Sequence, residues 1–78
     1  MNKLLNFLIT GITASDKFEI EEAEEEDRIS LNVKADPSIL GLIIGKQGAT
    51  IRNIRKIMSV KATLENKLVN VSVTENSK

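Results

Sequence analysis

The stretch Ile43-Ile44-Gly45-Lys46-Gln47-Gly48-Ala49-Thr50-Ile51 decides how this chain reads. Two glycines enclose two polar residues, an apolar run precedes them, and a helical pattern follows. Gly45 and Gly48 permit backbone angles with φ > 0 and put no side chain between the main chain and a ligand. The spacing predicts a tight helix-to-helix bend over residues 45–48. Its N–H groups, from Lys46 to Ala49, are expected to face outward at the start of the next helix. Amides so placed hold anions, helped by the partial positive charge of a helix N-terminus. Two helices also simply need a turn, and glycine makes one. The bend alone does not choose between a connector and a phosphate site, so the choice rests on what surrounds it.

Upstream, Asp36-Pro37 is a helix start: the carboxylate caps free N–H groups, and proline at the first helical position gives up a donor that had no partner. A short helix over 37–44 carries Ile39, Leu40, Leu42 and Ile43, and Gly45 ends it. Downstream, residues 49–62 regain the helical period, with Ile51, Ile54, Ile57 and Met58 in one arc of about 120°. Arg52, Lys56 and Ser59 lie opposite, and Arg55 lies at the boundary. Net charge is zero, but the zero hides an asymmetry. Residues 16–27 hold eight acids and one base; residues 37–64 hold five bases (Lys46, Arg52, Arg55, Lys56, Lys61) and no acid. The local field on the segment with the glycine bend favours a negatively charged partner.

Working outward, residues 2–13 read as a helix with Leu4, Leu5, Leu8 and Ile12 on one face; Phe7 and Ile9 widen its apolar arc. Residues 17–23 read as a strand with Phe18 and Ile20 on one face. Glu24-Glu25-Glu26-Asp27 forms a charged turn. Residues 28–35 alternate Ile29, Leu31 and Val33 with Ser30, Asn32 and Lys34, the period of a half-buried strand. Residues 67–74 repeat that alternation with Val69, Val71 and Val73. The order α-β-β-α-α-β implies an α+β fold: a three-stranded mixed sheet with three helices on one face. The first two strands form a hairpin, and the crossover through two helices makes the second and third parallel.

At 78 residues the chain is expected to be a single domain, residues 1–78, with no linker and no internal repeat. It has no cysteine and no histidine, so disulfides, thiolate metal sites and the usual general bases are missing. That composition predicts neither an enzyme nor a metal or cofactor site, and it suits a reducing cytoplasm. Asn6 interrupts the N-terminal apolar run, which therefore reads as a packing helix rather than a leader. No segment approaches the ~20 apolar residues that span a bilayer, so no membrane insertion is expected.

Leu42 through Ile54, with Ile44-Gly45-Lys46-Gln47-Gly48 at its heart, resembles the core of a KH domain, whose G-x-x-G loop clamps about four nucleotides of single-stranded backbone. The helix-first order resembles the type II version. Size and order are similar to the stand-alone bacterial KH proteins of the KhpA kind, and the likeness covers nearly the whole chain. The resemblance implies single-stranded RNA binding in the cytoplasm by an RNA chaperone or post-transcriptional regulator. It also implies a link to cell size and envelope growth, and pairing with a like chain or with a second KH protein, KhpB. By position, Gly45, Lys46, Gln47 and Gly48 would be the phosphate clamp. Ile43 and Ile44 would sit at the groove wall under the bases, Arg52 and Arg55 would meet the sugar-phosphate track, and the last strand would close the groove. A small-molecule substrate is not implied. Single-stranded DNA remains an alternative ligand, since nothing here reads a 2′-OH.

One departure matters. In the family the turn between the first two strands lies near the groove, and here it is acidic. It would repel phosphate over a Debye length of ~8 Å, so modest RNA affinity is expected. The first reading of such a turn is a solvated edge that discourages sheet-to-sheet pairing; the alternative is a dock for a basic partner protein. The alternative function is accordingly a protein-interaction subunit with a KH fold. Gly41 through Gln47 fails as a Walker A loop, having three residues between its glycines instead of four and no Ser or Thr after the lysine. The polar sheet face, Ser30, Asn32, Asn70 and Ser72, lacks the aromatics of an RRM.

Overall fold

The computed structural model describes residues 2–76. Its elements are α1 (Asn2–Thr13), β1 (Phe18–Glu24), β2 (Arg28–Ala35), α2 (Pro37–Ile44), a short 3₁₀ turn (Lys46–Gly48), α3 (Ala49–Leu64) and β3 (Leu68–Glu75). The sheet runs β1-β2-β3, with β2 in the centre. β1 pairs antiparallel with β2, Phe18 facing Ala35 and Glu24 facing Ile29. β3 pairs parallel with β2, Arg28 beside Leu68 and Ala35 beside Glu75. This is an α+β fold with the order of a type II KH domain.

Alternation along β2 decides which face the helices cover. Ile29, Leu31, Val33 and Ala35 are all buried, while Arg28 and Ser30 are exposed. Onto that face pack Leu5 and Ile9 of α1, Ile39 and Ile43 of α2, and Ile51, Ile54 and Met58 of α3, with Val71 from β3. Each fully buried aliphatic side chain contributes roughly 1.5–3 kcal/mol over its exposed form, so these residues hold the helices on the sheet. No polar or charged residue is buried among those described. The opposite face satisfies itself across the strands: Ser72 Oγ donates to Asn32 Oδ1 at 3.0 Å, and Lys34 pairs with Glu21 at 3.3 Å.

Several expectations shift. β1 begins at Phe18, one residue later than the alternation suggested, and reaches Glu24; β3 spans Leu68–Glu75. α3 runs two residues past 62 because the main chain closes there with Asn66 at φ 57. Lys67 N–H reaches Ala62 O at 2.8 Å and Asn66 N–H reaches Thr63 O at 3.0 Å, the paired bonds of a Schellman ending. Ile57 does not join the core; it is 44% exposed, and the small Ala62 fills the place on the buried stripe. Ile12 is 41% exposed as well: the buried stripe of α1 is Leu5 and Ile9, and Ile12 in the last turn stays outside it.

Candidate nucleic-acid interface

The bend is built by local chemistry at both ends of α2. Asp36 caps the helix, its carboxylate accepting from Ser38 N–H at 2.9 Å. That backbone donor holds the Asp36 carboxyl below the usual carboxylate range. At the other end Gly45 N–H closes on Gly41 O at 2.8 Å, and Gly45 itself sits at φ 77, ψ 173, a region essentially restricted to glycine. A Cβ on Gly45 would strike the Thr50 side chain and lie 2.8 Å from the Thr50 amide nitrogen. Gln47 follows at φ 56 and Gly48 at φ 75. A Cβ on Gly48 would meet open space, so that glycine serves conformation and leaves the main chain bare on its outer side.

The expectation that every N–H from Lys46 to Ala49 faces outward is corrected. The 3₁₀ turn uses two of them: Gly48 N–H bonds Gly45 O at 3.1 Å, and Ala49 N–H bonds Lys46 O. Tight i→i+3 closure is what a three-residue turn between helices requires. The N–H groups of Lys46 and Gln47 have no acceptor among the described residues, and both residues are exposed. α3 then starts at Ala49 without a side-chain cap among the described residues, so its first turn adds partial positive charge that no capping side chain offsets.

Ile43 is also corrected as a contact residue. Its side chain is completely buried in the core and offers no surface to a base. The helical period explains this: Ile39 and Ile43 stand one turn apart on the sheet side of α2. Ile44, 38% exposed, is the apolar residue the structure leaves beside the bend.

On α3, Arg52 and Lys56 are exposed and make no ion pair among the described residues. Arg55 differs: its Nε donates to Val71 O at 3.1 Å, tying α3 to β3. Sequence reasoning missed this partner because a carbonyl carries no side-chain signal. It also missed Lys67, whose ammonium donates to Glu24 across 43 positions of chain. That hydrogen bond, then the lysine charge, holds the Glu24 carboxyl below its ordinary range, and Glu24 in turn raises Lys67.

The acidic turn lies away from the glycine bend. Leu68 N–H bonds Asp27 O at 2.8 Å, and Lys67 holds Glu24, so this turn lies just past the C-terminal end of α3. The glycine bend lies at the N-terminal end. The intervening 16 residues of helix span roughly 24 Å at about 1.5 Å per residue, about three Debye lengths in physiological salt. No group of three or more metal-ligating side chains converges among the described residues. No helix among them is long and apolar enough to cross a membrane.

Set against known proteins, residues 2–73 match the family model described as "KhpA/KhpB, KH domain". The chain is 32% identical to the RNA-binding protein KhpA of Clostridium acetobutylicum over 74 residues, covering 94% of this chain and 99% of that one. It is 37% identical to the RNA-binding protein KhpA of Clostridium perfringens over 54 residues, 69% of this chain and 72% of that one. A third similar protein, the RNA-binding protein KhpA of Aquifex aeolicus, is 39% identical over 56% of each chain. No solved structure matches the chain.

Proposed function

Since this chain belongs to the KhpA/KhpB KH-domain family, we propose that it captures single-stranded RNA without catalysis, gripping the backbone at Gly45–Gly48. The observation that carries the reading is the pair of amides at Lys46 and Gln47, unpartnered among the described residues, in a bend where Gly45, Gln47 and Gly48 all take positive φ. Lys46 adds a mobile ammonium, Arg52 extends the cationic track along α3, and Ile44 offers an apolar rest for a base. The names of the similar proteins support RNA as the ligand.

Lys46→Asp with Gln47→Asp tests the grip. Both side chains are exposed, so the fold is retained by circular dichroism. Affinity for a short unstructured RNA is expected to fall at least about 100-fold, roughly 2.7 kcal/mol. Wild-type log K should drop by about 2–3 per decade of salt, the slope of roughly 3–4 phosphate contacts on a single strand. Undiminished binding by the double variant would overturn the clamp.

The reading extends to a cytoplasmic RNA chaperone or post-transcriptional regulator that influences cell size and envelope growth. Its measurable form is accelerated annealing of complementary RNAs by the wild type and none by the double variant.

A second reading, an interaction subunit that pairs with a like chain or a second KH protein, is favoured by one observation. Ile57, Val60 and Leu64 are 44%, 63% and 77% exposed and stand at i, i+3 and i+7 on α3, a coherent apolar stripe away from the core. Leu64→Asp should abolish self-association in sedimentation if that stripe is the contact, and leave the clamp's RNA affinity unchanged.

A further inference from the structure

The free edge of β3 runs beside the basic flank of α3, and its main-chain groups can be assigned. Leu68 N–H bonds Asp27 O and Asn76 N–H bonds Ala35 O, both in the direction of β2. In a parallel ladder, bonding alternates along the strand, so even-numbered residues of β3 bond β2. Val69, Val71 and Val73 turn their N–H and C=O groups to the open edge. An open strand edge is a row of donors and acceptors ready for a partner. Here one acceptor is taken: Arg55 Nε occupies Val71 O at 3.1 Å. Arg55 makes no ion pair among the described residues, and the bond to Val71 fixes the plane of its guanidinium. With Nε engaged, the two Nη groups remain, a planar fork of donors and no acceptor. Arg55 stands seven positions after Gly48, about 10 Å along α3, within reach of the nucleotides next to a phosphate held at the bend.

We propose that Arg55 is a specificity-determining residue that reads a base edge, rather than one more phosphate contact. By covering the Val71 carbonyl it replaces a main-chain acceptor with a fork of donors. The base at that edge is then selected for two adjacent acceptors. Guanine supplies them at O6 and N7, the geometry a guanidinium fork meets bidentately. Adenine presents an amino donor in place of O6 and opposes donor with donor. Arg52 and Lys56, exposed on the same helix and without an ion pair among the described residues, are left for the backbone. This inference rests on the single-strand RNA reading proposed above.

The test uses the full chain and three RNA hexamers: uridines with a single central guanosine, 7-deazaguanosine or adenosine. The wild type should favour the guanosine hexamer over the adenosine one by at least about 5-fold, and the 7-deaza substitution should remove most of that preference with no change to the protein. Arg55→Ala should bring the ratio to about one or below, because the freed Val71 carbonyl accepts an adenine amino group and opposes guanine O6. Arg55→Lys keeps the charge and the salt slope yet should lose the guanine preference, since an ammonium has no planar fork. Equal loss for all three hexamers in Arg55→Ala, with a salt slope shallower by about 0.7, would make Arg55 a phosphate contact and overturn the proposal. So would equal binding of the three hexamers by the wild type. Failure of the wild type to bind any hexamer would sink the clamp reading itself, a different result from binding that is blind to the base.

Discussion

Two tight turns stand at the two ends of α3, and they are opposites. The turn at its N-terminus, Gly45–Gly48, has Gly45, Gln47 and Gly48 at positive φ; the turn at the other end, Glu24–Asp27, has no residue in that region. The acidic turn closes a hairpin with ordinary backbone angles and carries four acids. The basic turn carries no acid and leaves two amides unpartnered among the described residues. α3 orders them in the sense its dipole favours for an anion at the N-terminal end. Conformational cost and positive potential therefore coincide within the basic turn; at the other end of α3 the left-handed residue, Asn66, closes the helix, and the neighbouring cation, Lys67, is taken by Glu24. Where a small domain holds its backbone in a costly conformation beside cations, the strain is a pointer to function rather than to mere connection.

The largest expected effect breaks the basic turn alone. Gly45→Ala puts a Cβ against Thr50 in a conformation essentially closed to other residues. A loss of about 3 kcal/mol follows, a fall in Tm of about 12–24 °C for a domain this small. Gly48→Ala meets no neighbour and pays only for its left-handed angles, about 1 kcal/mol. Thermal denaturation of the two variants measures the difference. Equal losses would mean the close Thr50 contact is irrelevant.

Smaller effects sharpen the contrast. Gln47→Gly relieves the strain at φ 56 and should raise stability by about 0.5 kcal/mol, the left-handed penalty less the added chain entropy of glycine. Replacing Glu25, Glu26 and Asp27 with their amides should change RNA affinity less than about 2-fold in physiological salt, because roughly 24 Å of helix separates the turns and the Debye length is ~8 Å. Near 0.01 M salt that length grows to ~30 Å, and the neutralised chain should then bind measurably tighter. A large gain in physiological salt would place the acidic turn at the groove after all.

What was legible in the sequence was what is local. Asp36-Pro37 announces a helix because capping acts within a turn, and Gly45 and Gly48 announce a bend because only backbone angles are at stake. The alternation of Ile29, Leu31 and Val33 reads directly as a covered face. What escaped depends on distant chain. Ile57 and Ala62 both fit an apolar arc, and only the position of the sheet decides that Ile57 stays out. Ile43 and Ile44 are neighbours in the motif, yet the helical period sends one inward and one outward. The consumption of the Gly48 and Ala49 amides follows from a 3₁₀ turn that glycine content does not specify. The Arg55–Val71 and Lys67–Glu24 bonds join segments that no spacing rule connects.

The smallest effect tests how the acidic turn is moored. Glu24 is held below its ordinary range by Lys67, so its contribution to stability is present above the unfolded carboxylate pKa and is lost as pH falls through the lower folded value. Lys67 is raised by Glu24, so its contribution is present below the unfolded lysine pKa and is lost as pH rises through the higher folded value. The pair therefore acts in full between about pH 5 and about pH 10 and fades on both sides. The Tm gap between wild type and Glu24→Gln should be flat across that window and close at each end. Asp36 makes the control, because the non-titrating Ser38 N–H is the main cause of its lowered pKa and the charge of Lys17 comes last among the causes. The gap for Asp36→Asn should close on the acid side and stay open in alkali. An alkaline closure for Glu24→Gln but not for Asp36→Asn would trace the mooring to Lys67; parallel profiles would mean the two ends of the hairpin are held without that ammonium.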